Sequence, residues 1–197
     1  MFDLERFMAD CRAARSEHSP QAAVKEIVAR AVAQPSDVEQ ALGTPREGQL
    51  ITLYRSPDLT ILNLIWAPGM SIYPHDHRMW AVIGLYGGRE DNVFYKRTAQ
   101  GLVKAGGKRL ETKDTVILGE KVIHAVTNPL SQFTGAIHVY GGDFFAAPRS
   151  EFDPDTFEER PYDAEKARRL FREANDRLHA QQGKGWASRA DKYVTPG

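Results

Sequence analysis

A single cysteine, Cys11, stands in the whole chain, so no disulfide can form within it, and that usage suits a reducing compartment. An excess of either charge is also missing: 26 lysines and arginines against 26 aspartates and glutamates leave a formal net charge of zero. Nucleic acids and anionic membranes are ordinarily met by a basic excess or patch, and neither stands out. No apolar run approaches the roughly 20 residues that span a bilayer. The opening MFDLERFMADCRAARSE mixes charges where a secretory leader would be apolar. The expectation is a cytoplasmic protein without nucleic-acid or membrane partners. Repeats and low-complexity tracts are absent too, and 197 residues suffice for one domain, 1–197, with a substantial core.

What is present falls into a helical entrance, a long β region and a helical exit. In residues 1–44, Leu4, Phe7, Met8 and Cys11 recur at helical spacing, which makes Cys11 a small buried hydrophobe. Val24, Ile27, Val28 and Ala31 repeat the pattern after Ser19-Pro20. Pro35-Ser36 with Glu39 reads as a capping box opening a third helix, which Gly43 closes. Each apolar stripe needs something to cover, and an outer face of the β region is the expected partner. Residues 49–146 hold short apolar or alternating runs cut by Ser56-Pro57-Asp58, Gly87-Gly88, Gly106-Gly107 and Gly141-Gly142, all read as turns. No helical pattern separates these runs, so an antiparallel barrel or sandwich is expected rather than βαβ units. In residues 147–197, an extended, proline-broken FDPDTFEERPYD precedes a helix with Asp163 as its N-cap. Ala167, Leu170, Phe171, Ala174 and Leu178 share one face of that helix, and the aperiodic GKGWASRADKYVTPG reads as a tail.

Three histidines carry the functional signal. His75 and His77 lie two apart in an extended run, so their side chains project from one face. Imidazoles so placed can grip a metal ion, with a third ligand from another strand, and His124 in GEKVIHAVTN is available. His138 and Tyr140 are likewise two apart and share a face. Trp80, Tyr86, Phe94 and Tyr95 suit a core at alternating strand positions. Arg89-Glu90-Asp91 reads as a solvated turn after the glycine corner, and His18 and His179 as surface groups.

Gly69, five residues, then His75-x-His77 matches the first cupin motif, and Gly119 to His124 with Asn128 four residues later matches the second. The chain therefore resembles the cupins and, within them, the cysteine dioxygenase (thiol dioxygenase) family. PHDH itself, the LNLIWAPG strand, the AIHVYGG segment and the flanking helices carry the narrower likeness. The resemblance implies a mainly β fold, a cupin double-stranded β-helix (jelly-roll) barrel with N-terminal helices and a C-terminal helix. It also implies Fe(II) held by His75, His77 and His124, although nickel, zinc, copper or manganese suit three imidazoles as well. Where a general cupin supplies an acidic ligand, Ala81 and Val82 stand instead. By the same resemblance His138 and Tyr140 are the catalytic pair, Tyr140 donating a hydrogen bond to sulfur or oxygen. The serine of the family's Ser-x-His-x-Tyr is Ala136 here. Arg55 matches by position the arginine that holds the substrate carboxylate, with Arg78, Lys96 and Arg97 as substitutes. The implied reaction oxidises a small thiol with O2 to its sulfinic acid. Two other readings stay open: a carbon–carbon-cleaving three-histidine dioxygenase, and a non-catalytic cupin that binds a metal or metabolite.

Overall fold

The computed structural model describes residues 1–190, with side chains through residue 181. Helix α1 (Leu4–Ala14) begins where the Asp3 carboxylate accepts from the Arg6 amide at 3.0 Å. Helices α2 (Pro20–Val32) and α3 (Pro35–Leu42) each place a proline in the first turn, where its missing N–H has no partner to lose. The expected capping box at α3 does not form: Gln34 holds the cap position without a side-chain bond. Gly43 ends α3 at φ 91, a conformation that glycine adopts without penalty.

Eight strands form one hairpin folded back on itself. Strand β5 (Arg89–Thr98) pairs with β6 (Gly101–Glu111) at its tip, then β4 (Ala81–Gly87) pairs with β7 (Thr115–Leu118). Next come β3 (Ser71–Asp76) with β8 (Ile123–Thr127), and β2 (Leu59–Trp66) with β9 (Thr134–Tyr140), all antiparallel. Winding this doubled ribbon puts β2, β9, β4 and β7 in one sheet, with β1 (Gln49–Ser56) at its edge. The other sheet holds β3, β8, β5 and β6, extended by β10 (Ser150–Phe152) and β11 (Glu159–Pro161). This is the mainly β jelly roll with helices at both ends that the sequence led one to expect.

The centre of the first sheet is buried on both faces, and every residue of β2 is buried, Thr60 and Asn63 included. Its outer face packs Ile61, Val82, Ile137 and Val139 against Phe7, Cys11, Val24, Val28 and Val32 of the helices. Gly84 permits that contact, since a Cβ there would lie 2.3 Å from Val28 Cγ1. Cys11 is fully enclosed, and burial pushes its thiol up to about 12, so it is inert packing. The inner face carries Leu62, Leu64, Ile83, Leu85 and Tyr140 toward Ile72 and Val126 of the second sheet.

The chain's path departs from expectation at Gly106-Gly107 and in the first part of the tail. Gly106-Gly107 is no turn: it lies inside β6, next to a register shift opposite Phe94 and Tyr95, and the reversal comes at Ala99-Gln100. The excursion after the barrel contains β10 and β11, and Glu151 of β10 pairs with His75 of β3. Helix α4 (Ala164–Ala190) starts as expected at Asp163, whose Oδ1 accepts from the amides of Glu165 at 2.9 Å and Lys166 at 3.0 Å. It continues through residues 183–190, where a tail was expected, and the rest of that tail lies outside the described residues. Phe171 of α4 stacks on Trp66 at 5.7 Å, and Asn175 bonds both the amide and carbonyl of Gly48, so α4 closes one end of the barrel. Among the described residues no helix is long and apolar enough to cross a membrane.

Candidate metal centre

Register brings the histidines together. His75 on β3 lies directly opposite His124 on β8, and His77 follows just after β3 ends. Arg78 then turns the chain in the left-handed region, at φ 56. The Nε2 atoms of His75 and His77 are 3.3 Å apart, as are those of His77 and His124. Bonds of about 2.1 Å to one ion would separate neighbouring nitrogens by roughly 3.0 Å at right angles and 3.4 Å in a tetrahedron. The spacing therefore fits a shared ion. Ring orientation agrees: His75 Nδ1–H donates to the Tyr73 carbonyl at 3.0 Å, and His124 Nδ1–H to Asn92 Oδ1 at 2.7 Å. Each bond leaves the Nε2 lone pair free to ligate.

Burial keeps these rings neutral. It pushes His75 down to about 4, and His77 and His124 well below the usual imidazole range, with the neighbouring rings adding to the effect. Three neutral rings then converge, with the Nε2 atoms of His75 and His124 both close to His77 Nε2, an arrangement a cation stabilises. Among the described residues no carboxylate shares the cluster. On a bound ion, three nitrogens would leave coordination positions for other ligands, and the ion's charge would stay uncompensated by the cluster.

The histidines sit in a cavity of about 420 Å³, with His138 and Tyr140 on one wall and Leu64, Phe144 and Phe171 on others. His138 Nδ1 and Tyr140 Oη are 3.0 Å apart, and the Tyr140 ring meets His77 edge-on at 5.0 Å. Burial raises the Tyr140 hydroxyl far above its ordinary range; Arg149 opposes the rise and Glu90 adds to it. Tyr140 therefore remains a phenol. Ala136 shares this inner face, fully buried and without a hydroxyl to offer.

The structure does not bring Arg55 to the cavity. Arg55 is half exposed and forms a two-point pair with Asp143, with Nε–Oδ1 at 3.0 Å and Nη2–Oδ2 at 2.9 Å. The register shift after Thr52 sets Arg55 opposite Thr60 on the side of the sheet that carries Tyr140, but at the strand end Asp143 engages its guanidinium. Arg78 and Arg97 are likewise engaged by Asp76 and Glu159, and Lys96 is exposed. Arg149, which sequence reasoning missed, is found there instead. It lines the cavity, its guanidinium lies 3.9 Å from the Phe144 ring centre and 3.8 Å from that of Tyr162, and its Nη1 is buried without a hydrogen-bond partner. Such a cation suits an anionic ligand.

Glu90 is also not where the sequence put it. It is wholly buried, with Oε2 accepting from Trp66 Nε1 at 3.0 Å and Oε1 from Asn92 Nδ2 at 2.9 Å. Because Asn92 gives its amide to Glu90, its carbonyl oxygen faces His124. The readable signal was alternation: Arg89 and Asp91 pair with each other, whereas Glu90 and Asn92 point inward. Trp80 and Tyr86 pack toward the helices, and His18 and His179 are exposed as expected.

No family model matches the chain. Solved structures similar to it include an RmlC-like cupin with a double-stranded β-helix from Methanocaldococcus jannaschii, at 10% identity and TM-score 0.44, covering 52% of this chain and 86% of that one. A cupin superfamily protein from Desulfitobacterium hafniense matches at 17% identity and TM-score 0.42, covering 52% and 86%. A cupin domain from Bordetella pertussis matches at 20% identity and TM-score 0.37, covering 50% and 97%.

Proposed function

We propose that the protein oxidises a small carboxylated thiol with O2 to its sulfinic acid at an iron ion held by His75, His77 and His124. One observation carries the reading: a three-imidazole cluster without a carboxylate shares a cavity with the unpaired guanidinium edge of Arg149. Ferrous iron, when bound, supplies the redox chemistry and open coordination positions for sulfur and oxygen.

The chain's own residues do the rest. Arg149 holds the substrate carboxylate by two-point contact and so fixes the direction of its sulfur. Leu64, Phe144 and Phe171 exclude water, while Tyr140, anchored on His138, places its hydroxyl oxygen beside the substrate. The overall change balances as thiol plus O2 giving sulfinic acid: both oxygen atoms end on sulfur, which loses four electrons to O2. The thiol proton is retained on the product.

Oxygen uptake by the ferrous protein tests this against a panel of carboxylated thiols, neutral thiols and diketones. Uptake and sulfinate with carboxylated thiols are expected. Uptake with diketones alone would instead identify a carbon–carbon-cleaving enzyme. No uptake at all would favour a metal- or metabolite-binding protein without catalysis, the reading that Ala136 supports by its missing hydroxyl.

A further inference from the structure

His138 is buried at 2% exposure with Leu62 and Ile83 beside it on the flanking strands, yet its Nε2 has no hydrogen-bond partner. The Glu90 Oε2 atom stands 3.8 Å from that nitrogen. Both Glu90 oxygens already accept from N–H donors, Trp66 on one side and Asn92 on the other, the bonding pattern of a carboxylate. A lone pair on His138 Nε2 would face this negative group, whereas an N–H there would be attracted to it. On the other side of the ring, Nδ1 meets Tyr140 Oη at 3.0 Å, a contact in which either atom can be the donor.

We propose that Glu90 is a positioning residue that holds the His138 proton on Nε2, so that Tyr140 donates its hydroxyl to Nδ1 and presents its oxygen to the cavity as an acceptor. Glu90 thereby takes the orienting place that Ala136 leaves empty. It reaches the ring from β5 across the barrel instead of from two residues along β9. The consequence for the substrate rests on the thiol-oxidation reading: the group that first meets Tyr140 must donate, as the S–H of an arriving thiol or an ammonium does. This replaces the expectation that Tyr140 donates at rest.

Long-range proton–nitrogen NMR of the 15N-labelled, zinc-loaded full chain reads the tautomer directly, with His138→Gln identifying the ring's signals. The expected wild-type pattern is a protonated Nε2 and an unprotonated Nδ1. Glu90→Gln, which keeps the volume and removes the charge, is expected to move the proton to Nδ1 or to mix the two tautomers. A wild-type proton on Nδ1, a doubly protonated ring, or an unchanged tautomer in Glu90→Gln overturns the assignment. If Glu90→Gln fails to fold, the wild-type spectrum alone still decides. In oxygen uptake, the variant should lose at least tenfold in kcat and shift KM less than twofold, because Arg149 is untouched. A proportional loss of soluble protein, with kcat per folded molecule unchanged, would mark Glu90 as merely structural. Failure of every thiol to consume oxygen would sink the proposed function and leave the tautomer standing.

Discussion

Strand β9 serves two environments with opposite demands. Ile137 and Val139 face α1 to α3 in a region built from aliphatic and aromatic side chains and the inert Cys11. One residue away on either count, His138 and Tyr140 face a cavity with three imidazoles, a guanidinium and a bonded carboxylate nearby. The outer face can be repacked at a cost in stability alone. The inner face keeps polar groups buried by giving nearly each one a partner, and among the described residues the two buried side-chain atoms without one, His138 Nε2 and Arg149 Nη1, belong to residues that line the cavity. Stability and chemistry are thus separated by strand alternation, and substitutions on the two faces should have separable effects.

The largest effect is expected from His124→Ala. Loss of a partner behind a ligand costs about 10–100-fold in metal affinity, so loss of the ligand itself should exceed that range. Metal content after dialysis should drop from near one ion per chain to almost none. On the opposite face, Ile137→Ala should destabilise by about 2–5 kcal/mol in denaturant unfolding while metal content stays unchanged. Metal loss in that variant at a concentration where it is folded would break the separation.

Arg149→Ala sharpens the comparison within the cavity. A hydrogen bond to a charged group contributes about 1.5–3 kcal/mol, or roughly 10–100-fold in affinity. KM for carboxylated thiols should rise by that factor, and KM for neutral thiols should stay put. Equal changes in both would remove Arg149 from substrate binding. Arg55→Ala should spare KM for either class.

The smallest effect concerns the Arg55–Asp143 pair and has a defined pH sign. Arg55 holds the Asp143 carboxyl below its ordinary 3.8. A depressed folded value means the stabilisation is fully present above 3.8 and vanishes as pH falls through the folded value. Arg55→Ala should therefore lower Tm slightly at pH 6 and match the wild type near pH 2. A constant Tm difference across that range would show the pair is not its source.

Much of this arrangement was legible in the sequence because it depends on local spacing. His75 and His77 share a face through the two-residue period, the GEKVIHAVTN segment supplies His124, and turn residues mark most strand ends. Arg149 was not legible: its burial comes from packing against the Phe144 and Tyr162 rings, with α4 closing the same cavity, which no local pattern encodes. Arg55 looked suitable only because its strand position ignored Asp143, which is far away in sequence. Glu90 was obscured by its charged neighbours, although alternation from Arg89 to Asn92 held the answer. The glycines of β6 read as a turn because glycine usually marks one; here Gly107 lies against the Asn92 carbonyl, where a Cβ would come within 2.9 Å.

X-ray absorption spectroscopy of protein purified anaerobically tests the centre most directly. The account predicts one first-row metal ion per chain with a nitrogen shell at about 2.1 Å and the outer-shell scattering of three imidazoles. A shell dominated by carboxylate oxygen, or scattering from fewer than two imidazoles, would contradict it.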